Sequence, residues 1–158
     1  MSGAVQEIGM PAEACALSTL SRLDYTDSFL AESRSGGDLT GEQWARVVLE
    51  DASDRTRKAL SSGWFSLGLK LGPTDSEQHV LGWEVRRSTP DFALLGAGSR
   101  LGITAELLFK RQQGGLFFAT LMRHDNSAAR LIWAPIAAPH RRIVSGLLGQ
   151  AVARAEVR

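Results

Sequence analysis

Apolar and polar positions along this chain follow two different periods, and each change of period marks a change of element. Between residues 40 and 71 the apolar positions recur at helical steps of three and four. Thr40 with Gln43 three residues on is a capping-box pattern, in which two side chains satisfy free backbone N–H groups at a helix start. Trp44, Val47 and Val48 follow at helical spacing. The run Asp51 to Ser53 interrupts, and Asp51 or Ser53 suits the cap of a second helix. There Leu60, Trp64, Leu67 and Leu71 form one apolar stripe, which Gly72-Pro73 is expected to end.

From His79 the period drops to two. Leu81, Trp83 and Val85 alternate with Gly82, Glu84 and Arg86, as in a half-buried strand. The turn Ser88-Thr89-Pro90-Asp91 leads into a second strand, Phe92 to Ala97. In a third, Ile103, Ala105, Leu107 and Phe109 alternate with Thr104, Glu106 and Lys110. Gln112-Gln113-Gly114-Gly115 is a tight hairpin connection, and Leu116 to His124 is the fourth strand. Such short connections require antiparallel neighbours. The last segment is helical again: Ile136, His140, Ile143, Val144, Leu147, Leu148, Ala151 and Val152 share a side, with Arg141, Arg142, Ser145, Gln150 and Arg154 largely elsewhere. One long bent helix from Ser127 is the favoured reading, with Pro135 and Pro139 each removing a hydrogen bond. A regular helix starting near Pro139 is the alternative.

Ahead of these elements, residues 1–22 mix small, polar and scattered apolar residues around Pro11, and are expected to form a loose arm draped over a domain spanning 23–158. Asp24 to Leu30 is a plausible first strand, with Tyr25 and Phe29 on related sides, and Ser35-Gly36-Gly37-Asp38 breaks regular structure after it. The expected order is therefore strand, two short helices, four antiparallel strands and a long helix, an α+β fold. Four strands with one apolar face need a cover, and the terminal helix carries the longest stripe able to supply it. A twisted, curved sheet wrapped around that helix leaves a hollow near its open end.

This order resembles the helix-grip fold of the START-like (SRPBCC) superfamily, which includes polyketide cyclases, lipid-transfer domains and plant allergens. The likeness rests on Asp24-Tyr25-Thr26-Asp27-Ser28-Phe29, on His79-Val80-Leu81-Gly82-Trp83-Glu84-Val85, and on Arg130-Leu131-Ile132-Trp133-Ala134-Pro135 followed by Pro139-His140-Arg141-Arg142-Ile143. It is nearest to a bacterial family, related to polyketide cyclase/dehydratase-like proteins, whose members often end in such a Trp, Pro, His-Arg helix. The resemblance covers roughly residues 23–157 and implies a cavity for a hydrophobic small molecule such as a lipid, isoprenoid or polyketide. It also implies about six or seven strands where five are visible in the pattern, with a short extra strand expected in the arm or near residue 100.

Composition narrows the function classes. At 158 residues with 44% apolar and 22% charged side chains, the chain is of ordinary globular make-up. Its 18 basic and 17 acidic residues nearly cancel, so the basic excess of a nucleic-acid binder is absent and nucleic acid is not an expected partner. Cys15 is the sole cysteine, which rules out an intrachain disulfide and a thiolate metal cluster. No stretch approaches the roughly 20 apolar residues of a membrane span, and Met1 to Ala16 lacks the pattern of a signal peptide. A cytoplasmic protein without stable membrane insertion, monomeric or homodimeric, is the expectation.

Candidate chemistry is sparse. His79, His124 and His140 fall in no recognised metal spacing, so neither metal nor cofactor is expected. Ligand-contacting positions are expected at Trp64, Trp83, Leu107, Phe109, Phe118, Met122, Trp133 and His140, since large rings commonly line apolar cavities although they also serve as plain core. An enzyme like the polyketide cyclases or dehydratases would need His124, Asp125 or Glu106 to handle protons, and no catalytic residue is assigned. Glu84 and Glu106 are expected as surface carboxylates, opposite the main apolar face; the alternative, with the sheet facing the other way, buries both as an acid pair with raised pKa values. A protein-interaction module with Trp44 in an exposed patch is the third alternative.

Overall fold

The computed structural model describes residues 4–34 and 37–157. Along the chain run β1 (Val5–Ile8), α1 (Ala12–Cys15), β2 (Tyr25–Glu32), α2 (Gly41–Leu49), α3 (Asp54–Ser66), β3 (His79–Val80), β4 (Trp83–Ser88), β5 (Phe92–Gly98), β6 (Ile103–Gln112), β7 (Gly115–His124), α4 (Ser127–Trp133) and α5 (Ala137–Val157). The strands form one antiparallel sheet in the order β1-β2-β7-β6-β5-β4-β3, with free edges at β1 and β3. Because β2 pairs with β7 rather than with β3, the first long strand closes beside the last. Of the elements between them, β3 to β6 complete the sheet, while α2 and α3 leave it, with α2 folded over one face.

On that inner face, alternation sets Phe29 and Ala31 of β2 beside Leu95, Leu107, Phe109, Phe118 and Met122. The terminal helix is not the sole cover. α5 lies over β1 and β2 and against α2, while α2 spans β5 and β6. α2 starts with its capping box intact. Its first residue, Gly41, sits so close to β5 that a Cβ there would meet the backbone of Phe92 and Ala93 at 2.5 Å. That approach drives Trp44 wholly into the core, where its burial of about 200 Å² contributes roughly 5 kcal/mol gross. Trp44 is therefore no exposed patch, which corrects the expectation built on it.

The outer face is apolar too. Leu94, Leu108, Phe117, Ala119 and Leu121 form a second cluster, covered by Ile8, Met10, Ala14, Leu17, Leu20 and Leu23 of the N-terminal segment. That segment is an integral layer: β1 pairs with β2 from Val5↔Ala31 to Ile8↔Ser28, and the chain then crosses the sheet. It also conceals Glu106, which is 0% exposed where a surface carboxylate was expected. Ser18 Oγ donates to Glu106 Oε1 at 2.5 Å, and Thr19 Oγ1 donates to Oε2 at 2.5 Å. Arg86 reaches the same carboxylate at 3.7 Å, and its guanidinium lies over Gly96, where any Cβ would collide with it. Glu84, by contrast, is exposed as expected.

Three boundaries differ from the periodicity. The run from His79 to Arg86 is not one strand: Leu81 (φ 49°) and Gly82 (φ 93°) make a two-residue turn between β3 and β4, with the positive φ at both central positions that a type I′ hairpin requires. The split into β3 and β4, with β1 in the arm, brings the five strands of the pattern to seven, and near residue 100 the described residues form only an isolated Leu69–Ser99 bridge. α3 ends at Ser66 rather than at Gly72, because Gly68 takes φ 71° and turns the chain early. The C-terminal segment is two helices: Asn126 caps α4, and Pro135 separates it from α5, whose first turn accommodates Pro139. Ser35 and Gly36, half of the break expected after the first strand, lie outside the described residues, as does Arg158.

Candidate functional site

Alternation along β2 turns Tyr25, Asp27 and Phe29 to the inner face, and register puts Asp27 directly opposite Thr120 of β7. A carboxylate in the middle of a buried strand face needs partners, since desolvation alone disfavours its charge. The start of α5 brings one. His140 Nε2 lies 3.2 Å from Asp27 Oδ2 and 3.2 Å from Thr120 Oγ1. Tyr25 OH donates to Asp27 Oδ2 at 2.7 Å and accepts from Arg141 Nη1 at 3.4 Å. The Pro135 break lets α4 and α5 approach Tyr25 from two directions. Trp133, the last residue of α4, meets the Tyr25 ring edge-on at 5.2 Å and the His140 ring at 5.1 Å.

Burial works against the charge of Asp27, but the hydrogen bond and charge of His140, with Tyr25 and Thr120 adding, hold the carboxyl below its usual range. The Tyr25 hydroxyl is pushed up by burial and by the adjacent Asp27. An ionised carboxylate only accepts hydrogen bonds, so Nε2 of His140 carries the proton that faces it. In the neutral ring Nδ1 is then a bare lone pair. Asp27 Oδ1 is buried with no hydrogen-bond partner among the described residues.

His140 also borders an apolar cavity of about 60 Å³ between α2, α3, α5 and the sheet. Of the eight ligand-contacting positions expected from sequence, Trp64, Leu107, Phe109, Phe118 and His140 line it. Trp83 stands one layer back, edge-on to Trp64 at 5.6 Å. Met122 is core beside Tyr25, its partner across the β2–β7 ladder, and Trp133 flanks His140. A second, broad cleft of about 1170 Å³ runs along Glu42, Arg46, Glu50, Asp54, Arg57 and Lys58. Its central cation is engaged by the protein itself: Arg46 bonds Glu42, Glu50 and the carbonyls of Glu77 and His79, tying the loop before β3 to α2.

The proton-handling candidates His124, Asp125 and Glu106 do not converge. Glu106 lies on the outer face under the N-terminal segment. Asp125 is exposed and pairs with Arg123 at 2.8 Å. His124 is buried on the inner side, both ring nitrogens without a partner among the described residues. Burial pushes its imidazole down, against the pull of Asp24. The residues that do come together with His140 are Asp27, Tyr25 and Thr120, which sequence reasoning passed over. Their signal was present: Asp27 holds the middle of the alternation Tyr25, Asp27, Phe29, an acid on an otherwise apolar stripe.

No family model matches the chain, and no curated protein matches it. Among the described residues no three His, Cys, Asp or Glu side chains are grouped as a metal site, and no helix is long and apolar enough to cross a membrane.

Proposed function

We propose that this chain is a START-like helix-grip protein whose inner hollow binds a hydrophobic small molecule, such as a lipid, isoprenoid or polyketide. The observation that carries the reading is the composition of the inner cavity. Its lining is aliphatic and aromatic except for one imidazole, His140, fixed by a buried acid. That is the make-up of a ligand site: apolar walls with a convergent polar group. Such sites usually measure about 300–1,000 Å³, so a ligand must enlarge this one. The wall suited to move is α3, which contributes Leu60 and Trp64 to the lining yet buries no residue fully. Ile143, at 54% exposure, is the lining residue that opens to solvent on α5.

Native mass spectrometry of gently purified protein, with titration of an apolar fluorescent probe, tests the reading. A co-purifying small molecule, or saturable probe binding that Trp64→Asp abolishes, supports it. No bound mass and no saturable probe site overturn it. A polyketide cyclase/dehydratase-like enzyme is the second reading, and Asp27–His140 supports it where His124, Asp125 and Glu106 do not. A proton-transfer role would fall to that pair.

A further inference from the structure

We infer that Nδ1 of His140 is the acceptor that recognises the hydroxyl group of an apolar alcohol or phenol held in the inner cavity; the inference rests on the binding reading above. Three features point to it. Asp27, Thr120 and the Tyr25 and Trp133 ring edges fix the imidazole from one side. The anchored nitrogen is Nε2, so the nitrogen left for a ligand is Nδ1, which makes no hydrogen bond among the described residues. The rest of the lining offers no second acceptor side chain: apart from His140, only Trp64 carries a polar atom there, and an indole N–H donates.

These features select a class of ligand. A hydrocarbon leaves the Nδ1 lone pair unsatisfied. A carboxylate brings only acceptors to an accepting nitrogen, with the Asp27 charge behind it. A hydroxyl supplies the missing donor, and the apolar body fills the space between Leu107, Phe118 and Trp64. Asp27 is a positioning residue in this scheme, acting through the tautomer it imposes. A plain structural role, in which the same pair merely ties α5 to β2, predicts no discrimination between ligands.

The test uses phenol and toluene, which match in size and differ in the hydroxyl, titrated into the full chain and followed by ligand-detected and histidine ¹⁵N NMR. In the wild type, long-range ¹⁵N spectra should show His140 protonated at Nε2, and phenol should move its Nδ1 resonance where toluene does not. One neutral hydrogen bond is worth about 0.5–1.5 kcal/mol, so the phenol-to-toluene affinity ratio should fall about twofold to twelvefold when the acceptor is lost. His140→Phe, which keeps an aromatic ring and removes both nitrogens, should produce that fall with toluene affinity changed less than twofold. Asp27→Asn, which can donate to Nε2 and release the other tautomer, should instead move the proton to Nδ1 in the ¹⁵N spectra and leave phenol to accept from Nδ1–H rather than donate to it. If either variant does not fold, the other and the wild-type spectra decide. An unchanged ratio together with an Nδ1 resonance indifferent to phenol overturns this inference and leaves the binding reading standing. Failure of both ligands and of the apolar probe to bind overturns both.

Discussion

Replacing Glu106 with alanine should loosen the N-terminal layer and destabilise the whole domain. Glu106 is fully buried, accepts two hydroxyl hydrogen bonds of 2.5 Å from Ser18 and Thr19, and shares the Thr19 N–H at 3.2–3.3 Å between its oxygens. Hydrogen bonds to a charged group contribute about 1.5–3 kcal/mol each. The two hydroxyl bonds therefore represent about 3–6 kcal/mol, offset because Thr19 is exposed and rehydrates once released, and because removing a buried carboxylate relieves its desolvation. The net expectation is about 3 kcal/mol. In a domain of this length that lowers the melting temperature by roughly 6–12 °C. Because the hydrogen bonds lost all reach from the sheet to residues 18 and 19, with only the longer Arg86 ion pair lying within the sheet, amides of the covering segment should lose about a hundredfold of exchange protection, before those of β6 and β7. Urea denaturation and hydrogen–deuterium exchange mass spectrometry measure both effects, with Glu84→Ala as an exposed control expected within about 0.5 kcal/mol of wild type. If Glu106→Ala unfolds at the wild-type urea midpoint, or residues 10–23 exchange no faster, the carboxylate does not hold the segment down.

Gly41→Ala places a methyl against the β5 backbone at Phe92 and Ala93 and should cost about 2 kcal/mol or more by chemical denaturation, since backbone on both sides must shift; a near-neutral result refutes the close approach of α2. His124→Leu should flatten the acid limb of the stability curve. An imidazole whose folded pKa lies below the unfolded value of 6.5 is protonated more readily when unfolded, so stability is full above that pH and is lost as pH falls through the window beneath it. Urea midpoints from pH 7 to 5 should therefore decline in the wild type and hold steadier in the variant. Asp27, whose carboxyl is held below its ordinary 3.8, contributes stability present above that value and lost at still lower pH, so Asp27→Asn should reduce the stability difference between pH 6 and pH 3. Amides of α3, which buries no side chain fully, should exchange well before those of α2, whose Trp44, Val47, Val48 and Leu49 are core; equal protection would argue against α3 as the wall that yields to a ligand.

Local signals settled most of the element list, because they act over a few residues. The capping box at Thr40 and Gln43, the Ser53 cap, the two-residue alternation of β6 and the Gln113-Gly114 hairpin are each decided by neighbouring side chains and backbone torsions, and each stands where the sequence puts it. The near-continuous apolar runs of β5 and β7 fit strands covered on both faces, whereas the reading from sequence assigns the four strands a single apolar face. Only the tertiary fold decided that the N-terminal segment lies over the second face, and with it that Glu106 is buried while Glu84, two strands away on the same side of the sheet, is not. The same holds for the site. Asp27, Thr120 and His140 come from β2, β7 and α5, separated by up to 113 positions (140 − 27) in the sequence; no local pattern encodes a meeting of three side chains that depends on the β2–β7 register and on where Pro135 breaks the final helix. Periodicity reports which side of its own element a residue occupies, whereas a polar cluster in an apolar core depends on which elements are stacked, and at what register.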